Sequence, residues 1–92
     1  MNYLDLTTFG LTEAESLVYY TVLKLGTCTV KQIAKDSGFH RTNIYDVLEQ
    51  LKEKGLISFL SEGKTMFYRA TDPDNLYALL REKQEILDRI LP

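Results

Sequence analysis

The sequence has little of the chemistry that disulfides, metal sites and most catalytic centres need. Its 92 residues include one cysteine, one histidine, two prolines and no tryptophan. Cys28 has no partner for an intramolecular disulfide and no ligand neighbour at zinc-site spacing, which favours a reducing, cytoplasmic compartment. His40 forms no Ser–His or Cys–His arrangement. We therefore expect a protein that is not an enzyme and that needs no metal or cofactor.

Long apolar runs are absent as well. No stretch approaches the roughly 18 consecutive apolar residues of a membrane-spanning helix. The first ten residues, MNYLDLTTFG, carry Asp5 and no Lys or Arg, unlike the basic start of a signal peptide. With 45% hydrophobic and 26% charged residues, the composition is typical of one small globular domain. We expect no membrane association.

The chain also lacks the excess of positive charge that many nucleic-acid-binding domains carry. Its formal net charge is −2. The charges are unevenly spread, because residues 31–64 hold one more cation than anions while the segments on either side are net negative. The balance leaves open both nucleic-acid binding by the middle of the chain and contacts with other proteins.

Two capping boxes mark the starts of helices. In each, a Thr precedes a Glu or Gln by three residues, at Thr12–Glu15 and Thr29–Gln32, so that each side chain bonds a backbone N–H at the other's position. Glycines then end the helices, since they adopt the left-handed conformation at low cost. This punctuation predicts helices over about 13–25, 30–37 and 41–54, which end at Gly26, Gly38 and Gly55.

Apolar residues recur with helical periodicity in the first and third of these segments. The predicted core stripes are Ala14, Leu17, Val18, Val22 and Leu25, and then Ile44, Val47, Leu48 and Leu51. Little more than Gly38 and Phe39 separates the second helix from the third. Two short helices joined by such a turn are typical of a helix-turn-helix.

A hairpin and a long helix complete the pattern. Segments 56–60 and 65–70 are rich in strand-forming residues, and the glycine-containing turn 61–64 lies between them. Asp72 and Pro73 then start a helix that runs to about residue 91. The fold class is therefore mainly α with a small β-hairpin, a winged helix-turn-helix over residues 1–72 followed by a C-terminal helix over 73–92 that we expect to mediate dimerisation.

Three segments of the sequence, 11–26, 29–57 and 63–76, resemble the N-terminal domain of TrmB-like archaeal transcriptional regulators. The most specific part is the run from Arg41 to Ile57, RTNIYDVLEQLKEKGLI, followed by Tyr68-Arg69-Ala70. The resemblance implies a dimeric domain that binds double-stranded DNA with help from its wing and represses or activates promoters. Longer members add a sugar-binding C-terminal domain. The 92 residues contain no such domain, which fits either a fragment of a longer regulator or a short member that senses nothing by itself, and we expect no small-molecule effector site within them.

The outward face of the third helix is where DNA sequence would be read, because a helix fits the major groove. Arg41 is suited to a bidentate contact with guanine and Asn43 to one with adenine, while Thr42 and Tyr45 are suited to phosphates. Other predicted DNA-binding residues flank this helix: Lys31 at the start of the second helix, Lys64 and Thr65 at the hairpin tip, and His40. We expect His40 to cap the third helix or to contact a phosphate.

A second apolar surface predicts self-association. Tyr19 and Tyr20 lie off the core stripe of the first helix, and by themselves they are also consistent with packing against the N-terminal residues Tyr3, Leu4, Leu6 and Phe9. The last helix favours a dimer surface instead, because its near-heptad apolar positions would promote association if exposed. The predicted dimerisation residues are Tyr19, Tyr20, Leu76, Leu80, Leu87 and Ile90. The alternative to a DNA-binding dimer is a winged-helix protein-interaction module within a transcription or chromatin assembly, which the acidic net charge favours.

Overall fold

The chain folds into four α-helices and one β-hairpin after a short 3-10 helix, in a computed structural model that describes residues 2–91. In order, the elements are the 3-10 helix Tyr3–Phe9, α1 Glu13–Leu25, α2 Val30–Ser37, α3 Arg41–Glu53, β1 Ile57–Glu62, β2 Thr65–Ala70 and α4 Asp74–Ile90. This order confirms the predicted winged helix-turn-helix with a long C-terminal helix. Met1 and Pro92, the outer ends of the two predicted units, lie outside the described residues.

Both capping boxes form as predicted. The hydroxyl of Thr12 accepts a hydrogen bond from the Glu15 N–H, and the Glu15 carboxylate accepts one of 2.7 Å from the Thr12 N–H. Thr29 and Gln32 make the same reciprocal pair at the start of α2. The boxes therefore fix where α1 and α2 begin.

The hairpin is tighter than the sequence suggested. Glu62 pairs with Thr65, which leaves a two-residue turn of Gly63 and Lys64 rather than the predicted four residues. Gly63 has a φ of +63°, whereas the φ of Lys64 is negative. This combination is typical of a type II′ turn. Cys28, just before α2, adds a bridge to the hairpin: its N–H donates to the Tyr68 carbonyl at 2.9 Å, and the Tyr68 N–H donates back at 2.7 Å. The wing is thus joined to the start of α2.

The core lies among α1, α2, α3 and the base of the hairpin. The predicted stripe of α3 is fully inside: its buried members are Ile44, Val47, Leu48 and Leu51. The prediction for α1 was less accurate, because Leu25 is 39% exposed while Tyr19, expected on a dimer surface, is only 1% exposed. Tyr19 is therefore a core residue, and its assignment to the dimer surface is wrong.

The 3-10 helix explains why Tyr19 is buried, in agreement with the alternative of packing against the N-terminal residues. It packs along α1 and buries Leu6, so α1 is covered on two sides instead of one. Tyr20 stays half-buried, with its ring centroid 6.4 Å from that of Tyr3. Segment 3–9 has no capping box or clear helical periodicity, which is why the sequence did not predict a helix there.

A buried ion pair ties α3 back to α1. The Lys54 ammonium lies 2.7 Å from the Glu15 carboxylate, which is buried while the lysine side chain stays partly exposed. Burial by itself raises the pKa of Glu15, but the hydrogen bonds from Lys54 and Thr12 and the lysine's charge outweigh it, so the pKa lies below its ordinary value of 4.5. Glu15 thus caps α1 and anchors the end of α3.

Helix α4 differs from the rest because it has no buried residue. It starts at Asp74, where the N–H donates to the Asp72 carboxylate at 2.9 Å, one residue later than predicted. Leu76 and Leu79 pack partly against the core. Beyond them the helix projects, giving the chain extents of 52 × 25 × 22 Å. Within residues 2–91, no helix is both long enough and apolar enough to cross a membrane.

Candidate nucleic-acid interface

The two helices of the helix-turn-helix have unusually electropositive starts. Neither α2 nor α3 carries an acidic residue in its first turn. By contrast, α1 begins with Glu13 and Glu15, and α4 begins with Asp74. The N-terminus of a helix carries a partial positive charge that acidic residues there offset. The starts of α2 and α3 are therefore the ones left able to attract an external anion.

The predicted reading residues occupy different sides of α3. Arg41, Thr42, Asn43 and Tyr45 are all exposed, as expected. Arg41 and Tyr45 stand four residues apart and so share one side of the helix. That side faces the hairpin, because both residues line a groove whose opposite wall is the wing tip. Thr42 and Asn43 do not line this groove.

The groove brings together five of the eight predicted DNA-binding residues. It has a volume of about 350 Å³ and lies between the start of α2, the start of α3 and the turn of the hairpin. The predicted residues that line it are Lys31, Arg41, Tyr45, Lys64 and Thr65. Thr29, Val30 and Met66 complete the lining, and sequence reasoning did not single them out. Thr29 carried a signal, since its capping box places it at the start of α2.

The groove is positively charged. Three cationic side chains line it, those of Lys31, Arg41 and Lys64, and no carboxylate does. Ion pairs elsewhere in residues 2–91 involve other lysines: Lys24 with Asp36, Lys52 with Glu49 and Lys54 with Glu15. Within the part of the chain that the structure describes, the three groove cations therefore have no acidic partner.

His40 lies beside this surface without joining the groove. It occupies the N-cap position of α3, but its side chain makes no capping hydrogen bond. His40 is thus the N-cap residue of α3, as predicted, although its side chain takes no part in the capping, and a phosphate contact stays a prediction. The imidazole is exposed at the helix start, next to Arg41.

A second cavity, of about 270 Å³, lies between the hairpin and α3. It is lined by Tyr45, Leu48, Glu49, Lys52, Phe59, Met66 and Tyr68. The Lys52 ammonium lies 4.3 Å from the centroid of the Phe59 ring, which is a cation–π contact that sequence reasoning missed. These contacts connect α3 to the wing beside the cationic groove.

Cys28 belongs to the scaffold of this surface. Burial raises the pKa of its thiol above the ordinary value. A protonated, buried thiol is a poor nucleophile. The residue acts through its backbone bridge to Tyr68, which joins the wing to α2.

Comparison with known proteins identifies relatives of this chain. The model of the family described as "Sugar-specific transcriptional regulator TrmB" matches residues 6–74. The chain is 40% identical over 74 residues to the HTH-type sugar sensing transcriptional regulator TrmBL1 of Pyrococcus furiosus, covering 80% of this chain and 21% of that protein. The chain thus spans about a fifth of the length of this relative.

Solved structures agree on the fold. TrmBL2, described as an archaeal chromatin protein with a novel mode of DNA binding, matches with a TM-score of 0.80 and 28% identity, over 95% of this chain and 34% of that one. A MarR family regulator of Neisseria meningitidis, NMB1585, matches with a TM-score of 0.64 and 22% identity over 98% of this chain and 78% of its own, a likeness of fold alone. The chain belongs to the TrmB family of transcriptional regulators, of which it carries the winged helix-turn-helix domain.

Proposed function

We propose that this domain acts in the cytoplasm as a dimeric transcriptional regulator that binds double-stranded DNA sequence-specifically. Helix α3 would enter the major groove, and the wing around residues 61–65 would contact the backbone or the minor groove. The observation that carries the proposal is the groove with three cations and no carboxylate beside the exposed first turn of α3. Phosphate contacts of this kind supply most of the affinity of such domains for DNA.

The acidic net charge does not oppose this proposal once the charges are placed. Asp46, Glu49 and Glu53 are exposed along the rest of α3, while its first turn is free of them. Repulsion from phosphates would tilt the helix so that its N-terminal turn enters the groove first. This is also the end from which recognition helices contact base edges.

Helix α4 supports the dimeric part of the proposal. Leu80, Leu87 and Ile90 are exposed in the chain by itself, Ile90 to 71%. A second copy would cover them if two α4 helices paired, antiparallel or crossed, about a two-fold axis. Leu76 would contribute only its exposed part, and Tyr20 lies half-buried on α1. Such a dimer prefers inverted repeats with half-sites about 10 base pairs, or a multiple, apart.

The competing function is a protein-interaction module, which the exposed carboxylates of α3 and the net charge of −2 favour. Such a module would bind a basic protein surface through α3. It would bind duplex DNA weakly and without preference for sequence. Enrichment of a preferred duplex from a random pool separates the two functions.

Duplexes enriched from a random pool by the wild-type protein supply a preferred site for testing Asn43. Asn43→Ala should weaken binding to that site by about 5- to 150-fold, the range for losing a good bidentate base contact. Its binding to unselected duplex should fall less. Gln50→Ala, which removes an exposed amide farther along the same helix, is the matched control and should bind as the wild type does. Failure to enrich any sequence would reject sequence-specific binding.

A further inference from the structure

The three groove cations come from separate parts of the chain and meet on one surface. Lys31 lies on α2, Arg41 is the first residue of α3, and Lys64 is in the turn of the wing. We infer that this groove holds a short stretch of one strand's sugar–phosphate backbone, and that Arg41 binds this backbone instead of a guanine edge. The inference rests on the proposed DNA-binding function and changes the role expected for Arg41 from the sequence.

The walls of the groove offer hydrogen-bond donors, and no carboxylate lines the groove to compete with a phosphate for them. The first four N–H groups of a helix have no acceptor within the helix. At the start of α2, the Thr29 hydroxyl accepts a hydrogen bond from the Gln32 N–H, and the Thr29 carbonyl accepts one from the Ile33 N–H. The N–H groups of Val30 and Lys31 remain, and both residues line the groove. Backbone N–H groups beside lysine and arginine form a typical phosphate-binding surface.

Arg41 faces a different side of α3 from Thr42 and Asn43, the two residues that follow it. Arg41 shares its side of α3 with Tyr45, which is 50% exposed and lines the same groove. A tyrosine hydroxyl donates readily to a phosphate oxygen. Thr42 and Asn43 lie outside the groove, so they remain available for base edges while Arg41 is directed toward the wing.

The wing, which forms one wall of the groove, is connected to both of the helices on the other side. The wing is held to the start of α2 by the reciprocal backbone bonds between Cys28 and Tyr68. It is held to α3 by the Lys52–Phe59 contact. The backbone of the wing therefore places Lys64 across the groove from Lys31 and Arg41 before DNA binds, so that only the side chains themselves have to be ordered on binding.

The test compares neutral backbone links with altered guanines. The wild-type domain and Arg41→Ala are titrated against duplexes carrying a single methylphosphonate at each phosphate in turn. A second series carries 7-deazaguanine, which lacks the N7 acceptor, at each guanine in turn. Arg69→Ala is the matched control, since it removes an exposed arginine of β2 that does not line the groove.

We expect methylphosphonates at two or three neighbouring phosphates of one strand to weaken the wild type about 10-fold, the effect of losing a charge-assisted hydrogen bond. Arg41→Ala should bind the unmodified duplex more weakly by a similar factor and respond little to the same substitutions. Lys31→Ala should lose sensitivity at the same phosphates. Arg69→Ala should respond as the wild type does, and no 7-deazaguanine should distinguish Arg41→Ala from the wild type.

The contrary results are distinct. If one 7-deazaguanine weakens the wild type but not Arg41→Ala, then Arg41 reads a base, and the inference fails while DNA binding stands. An unchanged methylphosphonate response in Arg41→Ala overturns it equally. If the wild type binds no duplex at all, the proposed function fails and takes this inference with it.

Discussion

The winged helix-turn-helix and helix α4 differ in how deeply their side chains are buried. Every side chain of the described core precedes α4, and the deepest of them include Ile33, Ile44 and Leu51. In α4 no residue is buried, and Tyr77, Leu87 and Ile90 are more than half exposed. The winged helix-turn-helix is therefore stabilised by contacts within its own chain, whereas α4 keeps much of its apolar surface exposed.

This difference separates the two tasks of a regulator. The core fixes the spacing among α2, α3 and the wing, which sets the width of the cationic groove. In the proposed dimer, the free face of α4 would determine how two such domains are held relative to each other. Mutations in the first region should act on folding and DNA contact, and mutations in the second on assembly.

The sharpest contrast is expected between two leucine truncations. Leu51→Ala, at a fully buried position, should lower the free energy of unfolding by about 3 kcal/mol through lost burial and a residual cavity. Leu80→Ala, at a half-exposed position of α4, is the matched control. Urea denaturation should show that the cost of Leu51→Ala is independent of protein concentration and that of Leu80→Ala rises with it. Equal costs would remove the distinction between the regions.

A charge placed on the free face of α4 tests its role in assembly. Leu87→Glu should weaken the dimer by about 2 kcal/mol or more, or roughly 30-fold in the dissociation constant, because it replaces buried apolar surface by a carboxylate. Sedimentation at micromolar concentration should show a dimer for the wild type and a folded monomer for the variant. The exposed charge reversal Arg81→Glu on the same helix gives the background effect of added acidity. A wild-type monomer with intact fold would contradict the assembly proposed here.

The ion pair between Glu15 and Lys54 gives the domain a smaller, pH-dependent contribution. Glu15→Gln keeps an acceptor for the Thr12 N–H but loses the charge, and should cost about 1–2 kcal/mol at neutral pH. Because the folded pKa of Glu15 lies below 4.5, its carboxylate stabilises the fold above that pH and loses this effect as the pH falls below it.

Thermal or urea unfolding at neutral pH and near pH 3 checks this behaviour. The difference in stability between the wild type and Glu15→Gln should shrink as the pH falls. Glu13→Gln, which changes an exposed carboxylate on the same turn, is the control and should show little difference at either pH. A gap that persists unchanged at low pH would mean that the pair contributes nothing through its charge.

Much of the fold follows from local signals in the sequence. Thr12 and Thr29 mark helix starts because a capping box depends only on residues three apart, and glycines such as Gly38 mark helix ends in the same way. The helical periodicity of the apolar residues in α3 was sufficient to identify its core face. These are short-range effects, and a single sequence displays them directly.

The errors concern contacts between distant parts of the chain. Tyr19 is buried because the 3-10 helix covers it, and Glu15 meets a lysine 39 residues away. Likewise, Lys31, Arg41 and Lys64 could each be proposed as a DNA contact from sequence, but their meeting in one groove could not. That convergence depends on the bridge between Cys28 and Tyr68, which are 40 residues apart in the chain, and on a hairpin turn of two residues where the sequence predicted four.

The most direct test of the account is the salt dependence of duplex binding. Each phosphate contact that is lost lowers the slope of log affinity against log salt by about 0.9 in magnitude. With three groove cations per domain, the wild type should show a slope of about −3 or steeper per domain between 50 and 200 mM salt. Lys64→Ala should weaken all duplexes about equally and reduce the slope by roughly one unit. A wild-type affinity that barely responds to salt, or a slope that Lys64→Ala leaves unchanged, would contradict the assignment of this groove to the DNA backbone.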